Sequence, residues 1–476
     1  MGSPTSFLLT IATLAISVLA ESPGLQQGLS NAHITAVFPG SSSYAAASRP
    51  FNLRYDFAPV AVTYPSTKEQ VSTIVALGSS ENLQVVARSG GHSYIANGLG
   101  GKNGALVIDL SNMTKVEVHA SGTATVETGN RLGDVAYALN NHGRAIPHGS
   151  CPYVGIGGHV SGGGFGFTSR MWGLALDAVQ SMTVVLANGS IVMASNTSNV
   201  DLFWALRGAA SSFGIITSVD FQTYTVPSFA TIYEYDWQLN YSSAAAALAK
   251  FQEFATTDIP PQLGAEINLG KGNSEGTVSF VLTGGWYGES IDALQSVLAP
   301  TVQVLGDGVV NTKVAGPDST DTFYVKSLMT PEDQPMTLEA LEVYMKYIAY
   351  EGYASDTAWF MQFELYGGAN SFINSVNVDS TAFATRSALF TVQLYASSSN
   401  FAPPYPEDGF TFLDGAADAI TKTMGNGWNY GAYVNYADDR LKNENYLYYK
   451  SHYHRLESLK SQYDPAGVFD FPLSIQ

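Results

Sequence analysis

The sequence has few charged residues, and positively charged ones are the scarcer kind. Of 476 residues, 22 are Lys or Arg and 40 are Asp or Glu, which gives a formal net charge of −18. A nucleic-acid-binding surface needs a basic patch to neutralise phosphates, and anionic membrane surfaces also attract basic segments. The shortage of positive charge therefore argues against both kinds of partner.

Cysteine is almost absent, because Cys151 is the only one in the chain. No disulfide can form within the chain, so a hydrophobic core must hold the fold together. Hydrophobic residues make up 45% of the sequence, which is enough for such a core and excludes wholesale disorder. The length predicts one or two large domains. The lone thiol is either a small buried hydrophobic group or a functional one.

Long hydrophobic runs are also scarce, apart from one at the N-terminus. It extends from Phe7 to Ala20 in a stretch without acidic residues. This run is shorter than the ~20 residues that a membrane-spanning helix needs. We therefore predict a signal peptide over residues 1–20, cleaved ahead of Glu21, although no basic residue precedes the run and a membrane anchor is the alternative.

Four Asn-X-Ser/Thr sequences accompany this segment and predict N-glycosylation of a secreted protein. Their asparagines are Asn112, Asn188, Asn196 and Asn240.

The pattern of strands and helices changes near Pro227. Residues 51–225 alternate short strands and helices, and Asn188-Gly189 predicts a hairpin turn because both residues tolerate positive φ. Beyond Pro227 the sequence predicts longer apolar strands together with helices. The strands include residues 276–284 and 358–365, and the helices lie at 243–256, near 337–350 and at 439–462.

A glycine-rich segment spans residues 147–166, with eight glycines between Gly149 and Gly166. Apolar residues are interleaved with these glycines, which distinguishes the segment from a flexible linker and favours close approach of the backbone to a flat or polyphosphate ligand. Val160 stands where a G-x-G-x-x-G motif would have its third glycine, and no Walker lysine follows. Rossmann and P-loop nucleotide binding are therefore disfavoured.

A second motif, RSGGHSY, covers residues 88–94 directly after a predicted strand. A strand that ends in a Gly-Gly turn presents successive N–H groups, which can hold a pyrophosphate without lysines. His92 lies at this turn. The other histidines show no metal-ligand pattern, and the spacing of His452 and His454 on a predicted helix does not suit a shared metal.

Together, the two motifs resemble the berberine bridge enzyme-like oxidases of the vanillyl-alcohol oxidase superfamily, and in particular the fungal glucooligosaccharide and chitooligosaccharide oxidases. The likeness continues through TSRMWGLALD at 168–177, DLFWALRG at 201–208, YVNY at 433–436 and YDPAGVF at 463–469. It covers nearly the whole mature chain, and residues 226–430 match more loosely.

This resemblance implies an α+β fold: a vanillyl-alcohol oxidase-type (PCMH-type) FAD-binding domain and a substrate domain whose antiparallel sheet is covered by helices. The FAD-binding domain is expected over residues 30–226, the substrate domain over 227–430, and a C-terminal segment over 431–476 that returns to the flavin.

The cofactor implied by the resemblance is FAD attached twice, through His92 to its 8α-methyl carbon and through Cys151 to C6. No metal is expected. The resemblance places further residues at the cofactor, namely Arg88, Ser89, Gly90, Gly91, Ser93, Gly155, Gly157, Gly158 and Asn435.

The family's catalytic base corresponds to Tyr436. A phenol with its ordinary pKa of ~10 is a poor base at neutral pH, so the resemblance implies a carboxylate neighbour that lowers the pKa of Tyr436. Glu364 occupies the place where the oligosaccharide oxidases have an aspartate, and Gln362 and Tyr94 are expected at the substrate.

The implied activity is that of an oxidase. An oligosaccharide is oxidised at its reducing-end hydroxyl to a lactone, and O₂ is reduced to H₂O₂. The alternative is a tailoring oxidase that acts on an alkaloid, polyketide or terpenoid, because one fold serves many substrates. A flavin-carrying protein without turnover is a more remote possibility. The substrate, the oligomeric state and any acceptor besides O₂ stay open at this stage.

Overall fold

The computed structural model describes residues 23–305 and 319–476. The predicted signal peptide, residues 1–20, therefore lies outside the described residues. Helices and strands both occur throughout the described part. The helices are α1 Pro23–Asn31, α2 Tyr44–Ala47, α3 Lys68–Ser80, α4 Leu132–Asn140, α5 Ile156–Ser161, α6 Ser169–Trp172, α7 Val200–Ala209, α8 Tyr241–Ala255, α9 Ile291–Leu305, α10 Leu338–Ala354, α11 Phe372–Ser375, α12 Glu407–Met424, α13 Glu444–Tyr449 and α14 Tyr453–Tyr463.

The strands form a mixed four-stranded sheet, an antiparallel five-stranded sheet, a two-stranded ribbon and an antiparallel six-stranded sheet. The strands are β1 Thr35–Val37, β2 Ala61–Tyr64, β3 Val85–Arg88, β4 Leu106–Asp109, β5 Val116–Val118, β6 Thr123–Glu127, β7 Arg144–Ala145, β8 Val179–Val185, β9 Ile191–Ser195, β10 Ile215–Gln222, β11 Tyr224–Thr225, β12 Thr231–Asn240, β13 Leu263–Lys271, β14 Thr277–Trp286, β15 Phe323–Pro331, β16 Ala358–Leu365 and β17 Ala388–Ser397.

The first two sheets belong to the N-terminal half. The four-stranded sheet has the order β1-β2-β4-β3, with β2 and β3 both parallel to the buried β4. Central parallel strands are covered on both faces, which explains the buried apolar residues Leu106, Val107 and Ile108 in β4. The five-stranded sheet, β5-β6-β10-β8-β9, contains the predicted hairpin: β8 and β9 pair, and Gly189 between them has φ = +81°.

The six-stranded sheet has the order β12-β14-β13-β16-β17-β15. Its apolar face packs with α8, α10 and α12 into one hydrophobic core, which includes Phe251, Tyr344 and Phe363. The predicted helices at 243–256 and near 337–350 correspond to α8 and α10. Asn240 and Thr337 cap these two helices, because each side chain accepts a hydrogen bond from the backbone N–H group three residues ahead.

The prediction of one continuous helix over residues 439–462 is wrong. The segment contains α13 and α14, separated at Lys450, whose φ is +49°. The Lys450 ammonium donates hydrogen bonds to the carbonyl oxygens of Tyr430 and of the Asn429 side chain. These tertiary bonds hold Lys450 outside helical geometry and outweigh the local helix propensity.

The C-terminal segment packs against the N-terminal half. Tyr433, Leu456 and Ile475 lie in the same hydrophobic core as Val126 and Val219. The backbone N–H of Val85, at the start of β3, donates to the carbonyl of Val468 over 2.8 Å. Across residues 23–305 and 319–476, no helix combines the length and the apolar character that a membrane span requires.

Candidate active site

A cavity of about 500 Å³ lies where the two N-terminal motifs, the six-stranded sheet and the C-terminal segment meet. Every residue that the sequence analysis placed at the cofactor, the substrate or the catalytic step lines this cavity. These are Arg88, Ser89, Gly90, Gly91, His92, Ser93, Tyr94, Cys151, Gly155, Gly157, Gly158, Gln362, Glu364, Asn435 and Tyr436.

The two glycine-containing motifs touch each other through their backbones. A Cβ on Gly90 would stand 2.4 Å from the nitrogen of Gly155, so neither residue has room for a side chain. The backbone N–H of Gly157 donates to Ser89 Oγ over 3.2 Å. Beside this contact, a Cβ on Gly158 would meet nothing within 4 Å. The loops are thus closely packed and leave open space on the cavity side.

Two of the predicted cofactor residues mainly support this wall. Arg88 donates from Nε to Asp109 Oδ2 and from Nη1 to the Ala47 carbonyl, each over 2.6 Å. Ser93 Oγ accepts from the N–H of Asn97 over 3.0 Å.

The two groups predicted to attach the cofactor lie on this same cavity. The His92 ring stacks on Phe51, with ring centroids 4.0 Å apart. Cys151 is an exposed, free thiol. The alternative of a small buried hydrophobic cysteine is therefore wrong, because the residue opens onto the cavity instead of joining a core.

The pair Tyr436 and Glu364 spans the cavity, with Glu364 on β16 of the six-stranded sheet and Tyr436 in the C-terminal segment. The Tyr436 hydroxyl donates to Glu364 Oε1 over 2.7 Å. Tyr94 stacks on the Tyr436 ring at 5.9 Å with an interplanar angle of 8°, and Tyr433 contacts its edge at 5.0 Å. These contacts fix the Tyr436 ring on two sides and leave its hydroxyl directed at the carboxylate.

Burial changes the proton affinity of both groups. It raises the pKa of Glu364 to about 8, with a smaller contribution from the negative charge of Glu266. It also raises the pKa of Tyr436 well above the ordinary value, and the charge of Glu364 raises it further. The expectation that Glu364 lowers the pKa of Tyr436 is therefore wrong, because a nearby negative charge opposes formation of the phenolate.

Glu266 on β13 and Gln393 on β17 are among the cavity residues that the sequence analysis missed. Glu266 lies directly opposite Glu364 in the register of β13 and β16, and it accepts a hydrogen bond from Gln362 over 3.4 Å. Gln393 donates to the Tyr94 hydroxyl over 2.9 Å. The only signal in the sequence is that each is a polar residue in an apolar strand.

The C-terminal segment is tied to the glycine-rich loop beside the cavity. The Tyr433 hydroxyl accepts from the N–H groups of Gly164 and Phe165, at 2.9 and 3.3 Å. Asn435 Nδ2 donates to the carbonyl of His159 over 3.0 Å. Burial lowers the pKa of His159 to about 3, so its neutral ring accepts a hydrogen bond from the Gly149 N–H. His159 is a further residue that the sequence analysis missed.

The predicted glycosylation sites, Asn112, Asn188, Asn196 and Asn240, are all exposed. Among the described residues, no group of three or more His, Cys, Asp or Glu side chains is arranged to hold a metal ion.

Comparison with known proteins identifies the family. Residues 59–195 match the sequence profile of an FAD binding domain, and residues 432–476 match the profile "Berberine and berberine like". The chain is 34% identical to the chitooligosaccharide oxidase of Gibberella zeae, over 99% of this chain and 98% of that protein. The chain belongs to the berberine bridge enzyme-like family of FAD-linked oxidases.

Solved structures of this family agree with the fold described here. The xylooligosaccharide oxidase of Myceliophthora thermophila, in complex with xylobiose, superposes with a TM-score of 0.87 at 34% identity and covers 95% of this chain and 99% of that one. The glucooligosaccharide oxidase of Acremonium strictum, described with a 6-S-cysteinyl, 8α-N1-histidyl FAD, superposes with a TM-score of 0.87 at 31% identity, over 95% of this chain and 99% of that one. The chain is accordingly an FAD-linked oxidoreductase with a vanillyl-alcohol oxidase-type fold.

The residues of the cavity fit this cofactor. The close-packed glycines form a wall without side chains, and Gly158 adds open space beside it. An imidazole and an exposed thiol, His92 and Cys151, line the same space, which is the donor set that two covalent links require.

Proposed function

We propose that this berberine bridge enzyme-like oxidase converts the reducing-end hydroxyl of an oligosaccharide to a lactone. The observation that carries this proposal is one cavity in which His92 and Cys151 share space with the hydrogen-bonded pair of Tyr436 and Glu364. Similarity to the chitooligosaccharide and xylooligosaccharide oxidases over nearly the whole chain supports an oligosaccharide as substrate.

We further propose that His92 and Cys151 both attach the FAD covalently, as in the related glucooligosaccharide oxidase. Bound FAD supplies the hydride acceptor, and its reoxidation by O₂ gives H₂O₂. The wall formed by Ser89, Gly90, Gly91, Gly155, Gly157 and Gly158 would contact the cofactor, while Arg88, Ser93 and Asn435 fix the loops around it.

Tyr436 and Glu364 together act as the general base in this proposal. The substrate hydroxyl gives its proton to Tyr436 Oη while Tyr436 passes its own proton over 2.7 Å to Glu364 Oε1. This relay avoids a free phenolate, whose formation burial opposes. A carboxylate with a pKa of about 8 is a suitable final acceptor because its proton affinity is close to that required near neutral pH.

Gln362 and Tyr94 are proposed to position the sugar. Both line the cavity next to the pair, and Gln393 holds the Tyr94 hydroxyl in place.

The test is an H₂O₂ assay on purified protein with oligosaccharides of several types, simple alcohols, alkaloids, polyketides and terpenoids, followed by mass spectrometry of the product. We expect turnover of oligosaccharides and a product two hydrogens lighter than the substrate. Turnover of alkaloids, polyketides or terpenoids alone would replace the sugar oxidase with a tailoring oxidase, and the absence of any turnover would favour a non-catalytic flavoprotein.

Secretion is part of the proposal, with cleavage ahead of Glu21 and glycans at the four exposed asparagines. N-terminal sequencing and intact mass of protein from its native host test it. An unprocessed Met1 would contradict the signal peptide.

We also propose that the FAD-binding unit is discontinuous in sequence and combines residues 30–226 with 431–476 around the substrate domain at 227–430. The shared core of the C-terminal segment with β6 and β10 supports this division.

A further inference from the structure

The imidazole of His92 rests on a phenylalanine from a different part of the chain. The rings of Phe51 and His92 stack with their centroids 4.0 Å apart and an angle of 25° between their planes. Phe51 in turn meets Phe323 edge to face, with ring centroids 5.6 Å apart. His92 lines the cavity, whereas Phe51 is not one of the described residues that do so. Phe51 therefore supports the imidazole from outside the cavity.

The position of Phe51 is fixed by bonds to the residues at the start of β15. The Phe51 carbonyl accepts from the N–H of Asp321 over 3.1 Å. The next residue, Asn52, is fully buried, and its amide nitrogen donates to the carbonyls of Tyr94 and Phe323 over 2.7 and 2.9 Å. Its amide oxygen accepts from the N–H of Phe323 over 3.2 Å. This segment cannot shift relative to the loop of His92 without breaking buried hydrogen bonds, which are costly to leave unmade.

From this arrangement we propose that Phe51 is a positioning residue for the covalent attachment of FAD at His92. The stack holds the imidazole in the orientation from which one of its nitrogens bonds to the 8α carbon. The inference rests on the proposed double attachment and adds the residue that prepares one of the two links. It also gives the start of β15, in the substrate domain, a part in loading the cofactor through its bonds to residues 51 and 52.

The attachment reaction needs no reagent besides O₂. A nitrogen of His92 forms a C–N bond, while one C–H bond of the 8α-methyl group and the N–H bond of the imidazole break. The remaining electron pair passes with two protons to the flavin ring, and O₂ then takes up both electrons and both protons as H₂O₂. Because the C–N bond forms only when the nitrogen faces the carbon, an imidazole that is free to turn should attach more slowly.

The size of the effect follows from the strength of an aromatic stack. Such a contact favours the stacked arrangement by about two- to tenfold, so its loss should slow attachment at His92 by about the same factor. Attachment at Cys151, on the glycine-rich segment, does not use the imidazole and should keep its rate.

The test follows attachment in full-length apoprotein that is prepared from a flavin-starved host and mixed with FAD. Samples are quenched with acid at intervals, and the flavin in the precipitate is measured per FAD bound. The Cys151→Ala parent isolates the link at His92. In this parent, Phe51→Leu keeps an apolar side chain without a flat ring and should slow attachment about two- to tenfold, whereas Phe51→Tyr should keep the rate of the parent. Phe51→Met replaces Phe51→Leu if the leucine variant does not fold.

Two controls separate orientation of the imidazole from a general disturbance of the fold. In the His92→Ala parent, which isolates the link at Cys151, Phe51→Leu should leave the rate unchanged. Phe57→Leu in the Cys151→Ala parent should also keep the rate, because Phe57 is a half-buried phenylalanine of the same segment that stacks on Tyr55.

An unchanged rate in Phe51→Leu, an equal slowing in Phe51→Tyr, or an equal slowing of the Cys151 link would overturn the positioning role. If the flavin of the Cys151→Ala parent stays releasable by acid, the proposed link at His92 itself fails, and this inference fails with it. Sugar oxidation is judged separately by the H₂O₂ assay on the wild type.

Discussion

Tyr436 and Glu364 are buried and joined by a 2.7 Å hydrogen bond. The proton affinity of each therefore depends on the other. Tyr436 alone is not a suitable base at neutral pH, because burial opposes formation of the phenolate. The two residues together can move one proton inward without creating charge on the phenol.

Removing the phenolic oxygen should stop this relay. Tyr436→Phe keeps the stacking on Tyr94, so the ring position is retained. We expect anaerobic flavin reduction by an oligosaccharide to slow by about 10²–10⁴-fold, the usual cost of losing a general base. Covalent flavin content and reoxidation by O₂, measured on the same preparation, serve as controls and should change little. Normal reduction in this variant would remove Tyr436 from the mechanism.

The pH dependence of the reductive step should follow Glu364. Because the pKa of Glu364 is raised to about 8, the residue holds a proton below that pH and is an ionised acceptor above it. Flavin reduction in the wild type is therefore expected to accelerate as the pH rises through about 8. Glu364→Gln cannot ionise and should lose this rise, whereas Glu364→Asp should keep a rise at a lower maximal rate. Stopped-flow reduction from pH 5 to 10 measures all three, and an identical profile in Glu364→Gln would exclude this role.

Double attachment of the flavin is tested separately from turnover. His92→Ala and Cys151→Ala should each keep one covalent link, and only the double variant should release flavin on acid precipitation. Absorbance of the precipitate and supernatant gives the answer. Release of FAD from the wild type would contradict covalent attachment altogether.

At the scale of elements, the contact between the two glycine motifs determines the shape of the cavity wall. In Gly90→Ala the new Cβ would lie 2.4 Å from a backbone atom of Gly155, which cannot rotate away as a side chain could. We expect a loss of roughly 1–3 kcal/mol in the free energy of unfolding, as for other overpacked sites, and a lower yield of covalent flavin.

Gly427→Ala is the control for this substitution, because a Cβ there meets nothing within 4 Å. Thermal denaturation and covalent flavin content of the two variants provide the comparison. Equal stability and equal covalent flavin content in the two variants would show that the two glycine motifs can move apart without affecting either the fold or the attachment of the flavin.

Several elements were predictable from sequence because local signals and burial agree there. The Asn188-Gly189 hairpin, the strand predicted at 358–365 and the helix predicted at 243–256 each form as expected. The long C-terminal helix did not form, because its break depends on the bonds of Lys450 to residues 429 and 430. A contact of that kind cannot be inferred from helix propensity.

At the scale of the whole molecule, a buried ion pair joins the segment before Pro227 to the segment after it. Arg386 and Asp177 form two hydrogen bonds of 2.8 Å, and their side chains are 3% and 5% exposed. Arg386→Ala should lower the free energy of unfolding by about 3–5 kcal/mol, because it leaves the Asp177 charge buried and unpaired.

The comparison variant is Lys422→Ala, which removes an exposed pair with Asp418 whose loss should cost less than about 1 kcal/mol. Denaturant titration of both variants measures the difference. Similar losses in the two would show that the buried pair does not couple the segments.

The sequence by itself determined the family, the cofactor and the residues that line the cavity, because the glycines, His92, Cys151 and Tyr436 occur in contiguous motifs whose order is visible along the chain. The tertiary structure alone decided how these residues are arranged. The opposition of Glu266 to Glu364, the bond from Gln393 to Tyr94 and the burial that raises the pKa of Glu364 all depend on strand register and packing between segments far apart in sequence. Register and burial arise only when the chain is folded, so the direction of the pKa shifts and the pairing of the two glutamates across β13 and β16 could not be obtained from the motifs.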